Sequence, residues 1–171
     1  MRSIRLPSRA ILGAAVALLL LVPAVLPAAA QDASVAPPPA ADGQALAEKY
    51  MDILALPDAA QKQAELQAFL GDEFQVVRAS GPRQDKAAYL VNPPTVHAYT
   101  ISDVVTTQDA NVAVVSYLLN TTETIDNVEQ THTAPRLSVF HWNGTDWELI
   151  AHSNFGAIDL PAASPAASPA G

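Results

Sequence analysis

The chain contains no cysteine in its 171 residues. That absence excludes a disulfide framework, a thiol nucleophile, Cys-ligated zinc and a lipid-modified cysteine anchor. Basic residues are scarce, with nine Lys and Arg against seventeen Asp and Glu. Three of the nine, Arg2, Arg5 and Arg9, precede an apolar run from Ala10 to Leu21, followed by Pro23 and Ala28-Ala29-Ala30. A cationic stretch, an apolar stretch and then small residues is the order of a cleaved export signal. Residues 1–30 are therefore expected to be removed after Ala30, leaving a secreted or otherwise extracytoplasmic protein. The alternative is an uncleaved anchor, since 10–30 can just span a bilayer if its prolines are tolerated. Cleavage removes no acid, so the remaining chain would carry a net charge of −11. With no Lys/Arg cluster left, neither nucleic acid nor a stable anionic-membrane contact is expected as a partner.

Chemical motifs are missing as well. There is no G-x-S-x-G elbow, Walker loop or dinucleotide-binding glycine pattern. The four histidines, His97, His132, His141 and His152, show no i,i+4 ligand spacing. No metal and no cofactor is expected. Two sequons, at Asn120 and Asn143, read as chance matches in a Thr-rich stretch. Residues 31–41, with Pro37-Pro38-Pro39, read as a linker, and 159–171 as a disordered Pro/Ala/Ser tail. One domain, 42–158, remains.

Within it, Asp42 caps an expected helix to about residue 56, with Leu46, Tyr50, Ile53 and Leu54 on one apolar face. Pro57 ends it, and Asp58 caps a second helix carrying Leu66, Phe69 and Leu70, with Gly71 as its stop. A short strand over 74–78, a turn at Ser80-Gly81-Pro82 and a short helix over 85–91 follow. From there the period changes to two, which predicts strands over 97–107, 112–124, 128–142 and 147–155. The layout is α+β.

The Asn143-Gly144 turn fixes the register of the last hairpin, pairing Trp142 with Trp147 or shifting by two residues, which leaves the faces unchanged. Alternation then puts Val115, Tyr117, Leu119, Phe140, Trp142, Trp147, Leu149 and Phe155 on one face, with His132 and Arg136 toward its end. The other face collects Tyr99, Ile101, Asp103, Val105, Ser116, Leu118, Leu137, Val139, Ile150, His152 and Asn154. Both are apolar, so each needs a cover: helices on one and, on the other, a second copy of the chain. A homodimer is expected.

Helices first, then long antiparallel strands closing on Trp147-Glu148-Leu149-Ile150-Ala151-His152-Ser153-Asn154-Phe155, resemble the NTF2-like superfamily, in particular its SnoaL-like and DUF4440-type branch. The resemblance spans 42–155. It implies a cystatin-like α+β cone, in which N-terminal helices pack over a curved antiparallel sheet with a pocket between. It also implies that Glu148, Ile150, His152 and Asn154 face that pocket while the convex face dimerises. Enzymes of the superfamily, ketosteroid isomerase-like or dehydratase-like, use an Asp with Tyr or His donors in the cone.

Tyr99, Asp103, Ser116, His152 and Asn154 are thus the expected ligand-lining set, a few polar groups on an apolar wall. The expected ligand is a small apolar or amphipathic molecule. Alternatively, Asp103 is a general base with Tyr99 or His152 as hydrogen-bond donor in a cofactor-independent lyase or isomerase. A third reading is a structural module whose cone is filled by its own side chains. His132 and Arg136, four apart beside Tyr117, suit either an anion site or, more commonly, a polar cluster in a dimer interface.

Overall fold

A computed structural model describes residues 37–157. The expected export signal, most of the linker and the 159–171 tail lie outside the described residues. Three aspartates start the three helices. Asp42, Asp58 and Asp85 each accept a bond from the backbone N–H three residues on, which satisfies one otherwise orphaned donor. Helix α1 (Gly43–Ala55) buries Ala47, Tyr50, Met51 and Leu54, one helical stripe. Gly43 lets its first turn close on the sheet, because a Cβ there would strike Thr106 and Val115. Helix α2 (Ala59–Phe69) buries Leu66 and Phe69.

Gly71 does not stop that helix as a cap. The chain passes from Phe69 straight into strand β1 (Leu70–Val77), and Gly71 lies within it. A Cβ on Gly71 would come within 2.8 Å of Ile150 Cγ2, so the glycine serves close strand contact. Strand β2 (Arg83–Asp85) and helix α3 (Lys86–Val91) follow, then β3 (Thr95–Asp109), β4 (Val112–Ile125), β5 (Val128–Trp142) and β6 (Trp147–Asn154).

The six strands form one sheet in the order β2-β1-β6-β5-β4-β3. The sheet is mixed, not wholly antiparallel: β1 runs parallel to β6. The helical segment 86–91 and three long strands separate β1 from β6, so their pairing is a long-range crossover that no local turn signal announces. The last hairpin has the expected register, with Trp142 opposite Trp147.

Among the described residues, helices cover one face only. On it β4 buries Ala113, Val115, Tyr117, Leu119, Thr121 and Glu123 in strict alternation, and β5 buries Ala134, Arg136, Ser138 and Phe140. Strand β6 buries Trp147 and Leu149 and then breaks phase. Val139 pairs with Ala151 but Phe140 pairs with Leu149, which leaves Ile150 as an extra residue in a bulge. Beyond it the even residues face the helices, so His152 sits opposite Ser138 and Asn154 opposite Arg136. A second irregularity lies in β3 between Ser102 and Val105, where Asp103 takes a left-handed φ of 54°.

Candidate functional site: a polar pocket at one end of the cone

The two bulges divide the expected ligand-lining set. Asp103 is exposed and lines a shallow hollow on the uncovered face with Ser116, Leu118, Leu137 and Phe155. His152 and Asn154 are on the covered face. Tyr99 pairs with Thr121 on the covered side, three strands from His152, and its hydroxyl donates to Asp52 of α1 at 2.6 Å. Asp103 therefore cannot share a proton with His152 or Tyr99, and Ser116 is equally remote from His152. Ile150, expected beside His152, is displaced from it by the same bulge. Strict alternation fails wherever one strand carries an unpaired residue.

What the bulge does assemble is a different constellation. Arg136 is 3% exposed, a rare degree of burial for a guanidinium. Its Nη1 donates to the Pro135 carbonyl at 3.0 Å and its Nη2 lies 3.0 Å from His132 Nε2. The same His132 nitrogen is 3.4 Å from Glu123 Oε1. One ring nitrogen either accepts from Arg136 or donates to Glu123, never both. Among the described residues no carboxylate lies within ion-pair distance of Arg136. Burial lowers the Arg136 pKa, with Glu123 opposing, yet a guanidinium stays charged.

Below this group is a buried polar floor. His152 Nδ1 is 2.9 Å from Ser138 Oγ, and its ring meets Tyr50 edge-on at 5.1 Å. Burial, reinforced by the Arg136 charge, pushes the His152 pKa down to about 3, against the influence of Asn154, so the imidazole is neutral. The Tyr50 and Tyr89 hydroxyls are 2.5 Å apart, and burial raises both their pKa values. Among the described residues, buried Tyr117 Oη and Asn154 Oδ1 have no partner in full hydrogen-bond geometry, although Ser138 bears on the first and the His152 ring on the second. Burial raises the Tyr117 pKa too.

Above the floor a cavity of about 450 Å³ opens, with Arg78, Glu123, His132, Arg136 and Asn154 among its walls. Arg78 stands at the end of β1, held by the turn at Gly81. Its backbone N–H donates to Pro82, its Nε to Gln84 Oε1 at 3.2 Å, and its guanidinium lies 5.5 Å from the Tyr89 ring centre. A chamber of about 20 Å³, room for roughly one water, continues from the cavity between Tyr50, Tyr89 and His152. The outer wall is mixed, carrying Gln84, Asn92, Gln130 and Thr131 alongside Ala79, Pro82, Ile125 and Phe155.

Of these residues, sequence reasoning paired His132 and Arg136 beside Tyr117, but on the face it expected to dimerise, whereas that face is the buried, helix-covered one. It missed Glu123, Ser138, Tyr89 and Arg78. The first two carried a signal, since each falls in phase with buried neighbours along its strand. Arg78 follows a strand end and offered none.

No family model matches the chain, and no curated protein matches it. Solved structures do. An NTF2-like protein from Cytophaga hutchinsonii superposes with a TM-score of 0.60 at 18% identity, covering 67% of this chain and 94% of its own. An NTF2-like protein from Rhodospirillum rubrum, of unknown function in nutrient uptake, gives 0.59 at 18% identity, covering 69% and 99%. A proposed ketosteroid isomerase from Parabacteroides distasonis gives 0.51 at 11% identity, covering 67% and 87%. With helices packed on one face of a six-stranded, unclosed mixed sheet, and nearly the whole of each of the first two structures matched, this chain has the NTF2-like α+β cone fold.

Proposed function

We propose that the protein is a small-molecule-binding module whose ligand is an organic anion, held by Arg136 and Arg78 in the cavity at the polar end of the cone. One observation carries this reading: Arg136 is buried and charged, has no carboxylate at ion-pair distance among the described residues, and lines the cavity. A buried charge is costly unless matched, and a guanidinium presents a planar fork that fits a carboxylate. The mixed outer wall suits an amphipathic ligand, one arm of the apolar-or-amphipathic expectation from sequence, that carries hydrogen-bonding groups. Calorimetric titration with a series of simple carboxylates, acetate to hexanoate, tests the reading. Saturable binding is expected, at least about tenfold weaker in Arg136→Gln. Equal binding by a folded variant, or no binding by the native protein, would contradict it.

A second reading, a cofactor-independent isomerase or lyase, is favoured by the Tyr50–Tyr89 hydroxyl pair and the neutral His152 imidazole around the small chamber. Such donors suit a developing oxyanion, with Glu123 in place of Asp103 as the nearby base. Deuterium wash-in at the carbon next to a bound ligand's carboxylate, followed by NMR, separates catalyst from binder.

The same proposal extends to where and how the module works. The N-terminal charge pattern supports export, tested by N-terminal sequencing of the protein from its own host, with Gln31 as the expected first residue. The uncovered sheet face, with Leu118, Leu137 and Phe155 around its hollow, supports a homodimer. Sedimentation of Leu137→Lys against the native chain tests that, with dissociation expected.

A further inference from the structure

We propose that the ligand is a zwitterion, a free amino acid, with its carboxylate on Arg136 and its ammonium between Glu123 and Asn154. The inference rests on the anion reading above and adds the second half of the ligand. Three features of the pocket's inner wall require both charges at once.

The first is the single nitrogen of His132 shared between Arg136 and Glu123. At 3.0 Å from one and 3.4 Å from the other, it serves only one of them in either tautomer. A guanidinium and a carboxylate are thus held apart across one imidazole, and one of the two always lacks its bond. A plain anion would satisfy Arg136 and leave Glu123, 6% exposed, with only His132. A plain cation would leave Arg136 as it is.

The second is Asn154 Oδ1, a buried acceptor near the His152 ring but with no partner in hydrogen-bond geometry among the described residues, on the residue directly opposite Arg136 across β5 and β6. A group that fills its valence must donate a hydrogen, which a carboxylate cannot do. An ammonium has three such hydrogens, enough for Asn154 and Glu123 together. A hydroxyl has one, enough for Asn154 or Glu123 but not for both.

The third is charge balance over the whole cavity. Arg78 and Arg136 face Glu123 and Asp126 along its walls. A dianion such as phosphate would meet this balanced wall at a disadvantage, whereas a ligand that is itself balanced meets complementary charge at both ends.

The test is calorimetry on the full chain with the twenty standard amino acids. The best of them is then compared with its 2-hydroxy analogue, its des-amino carboxylate and its amide. The amino acid is expected to bind at least about tenfold more tightly than the hydroxy acid or the des-amino acid, and the amide to bind at least that much more weakly. Glu123→Gln should narrow the gap between the amino acid and the des-amino acid by weakening the amino acid, whose ammonium loses its carboxylate. Asn154→Leu should narrow the same gap by a different route, which keeps the inference testable if Glu123→Gln does not fold. If the hydroxy or des-amino acid binds as tightly as the amino acid, the zwitterion is overturned and the anion site stands. If neither amino acids nor the simple carboxylates bind, both readings fall.

Discussion

The two ends of the helix-covered sheet face are built from the same three strands, yet they differ in kind. At one end Ala113, Phe140, Trp147 and Leu149 close against Phe69, whose ring lies 6.2 Å from that of Phe140, and Phe140 and Leu149 have no exposed surface. At the other end the buried positions are Glu123, Arg136 and, beyond the β6 bulge, His152, nearly as deeply buried. Burying each large apolar side chain contributes about 1.5–3 kcal/mol. Burying a charge costs several kcal/mol unless geometry compensates. The apolar end holds the fold together, and the polar end is tolerated because the apolar end can carry it. That contrast separates structural from functional burial more sharply than residue type alone.

The strongest way to break the contrast is at the apolar end. Phe140→Ala should lower stability by about 3–5 kcal/mol, since the site is walled by strands and helices that cannot collapse into the gap. Urea denaturation measures it, and a loss below 1 kcal/mol would mean the packing is not what holds this end.

At the polar end the large effect is on pH dependence. The folded His152 pKa, near 3, lies below the unfolded value of 6.5, so the unfolded chain binds the proton first. The contribution of this group is fully present above pH 6.5 and is lost as pH falls toward 3, with a slope of up to about 1.4 kcal/mol per pH unit. His152→Gln should flatten that part of the stability–pH curve. An unchanged slope would show that His152 is not the group responsible.

Ser138→Ala sharpens the same end. It removes the partner of His152 Nδ1, and the expected loss is about 1–3 kcal/mol by urea denaturation. No loss would indicate that the imidazole finds another partner. The smallest effect belongs to the uncovered face. Asp103→Asn should change stability by less than about 0.5 kcal/mol and leave carboxylate affinity unchanged in calorimetry, because Asp103 is exposed and outside the polar cavity. A clear loss of affinity would reconnect the two faces.

Much of this was readable from sequence. The three capping aspartates, the turns at Gly81 and Gly144, the Trp142–Trp147 register and the α+β order all rest on local chemistry, acting within a few residues. The parallel β1–β6 pairing and the bulge at Ile150 do not. One joins segments distant along the chain, and the other is a single unpaired residue with no mark in the local pattern. Yet that residue decides the site. It turns His152 and Asn154 away from Asp103 and toward Arg136, converting an expected apolar pocket with an aspartate base into a polar pocket with a buried cation. His132 and Arg136 were legible as a pair because no irregularity lies between them on β5.

The most direct test of the central claim observes Arg136 itself. In protein labelled with ¹⁵N-arginine, the Arg136 side-chain Nε–H signal, assigned by its loss in Arg136→Gln, is followed as hexanoate is added. A saturable shift of that signal is expected with hexanoate and none with hexanamide. A signal that stays fixed while the carboxylate binds, or shifts equally with the amide, would contradict the assignment of Arg136 as the anion receptor.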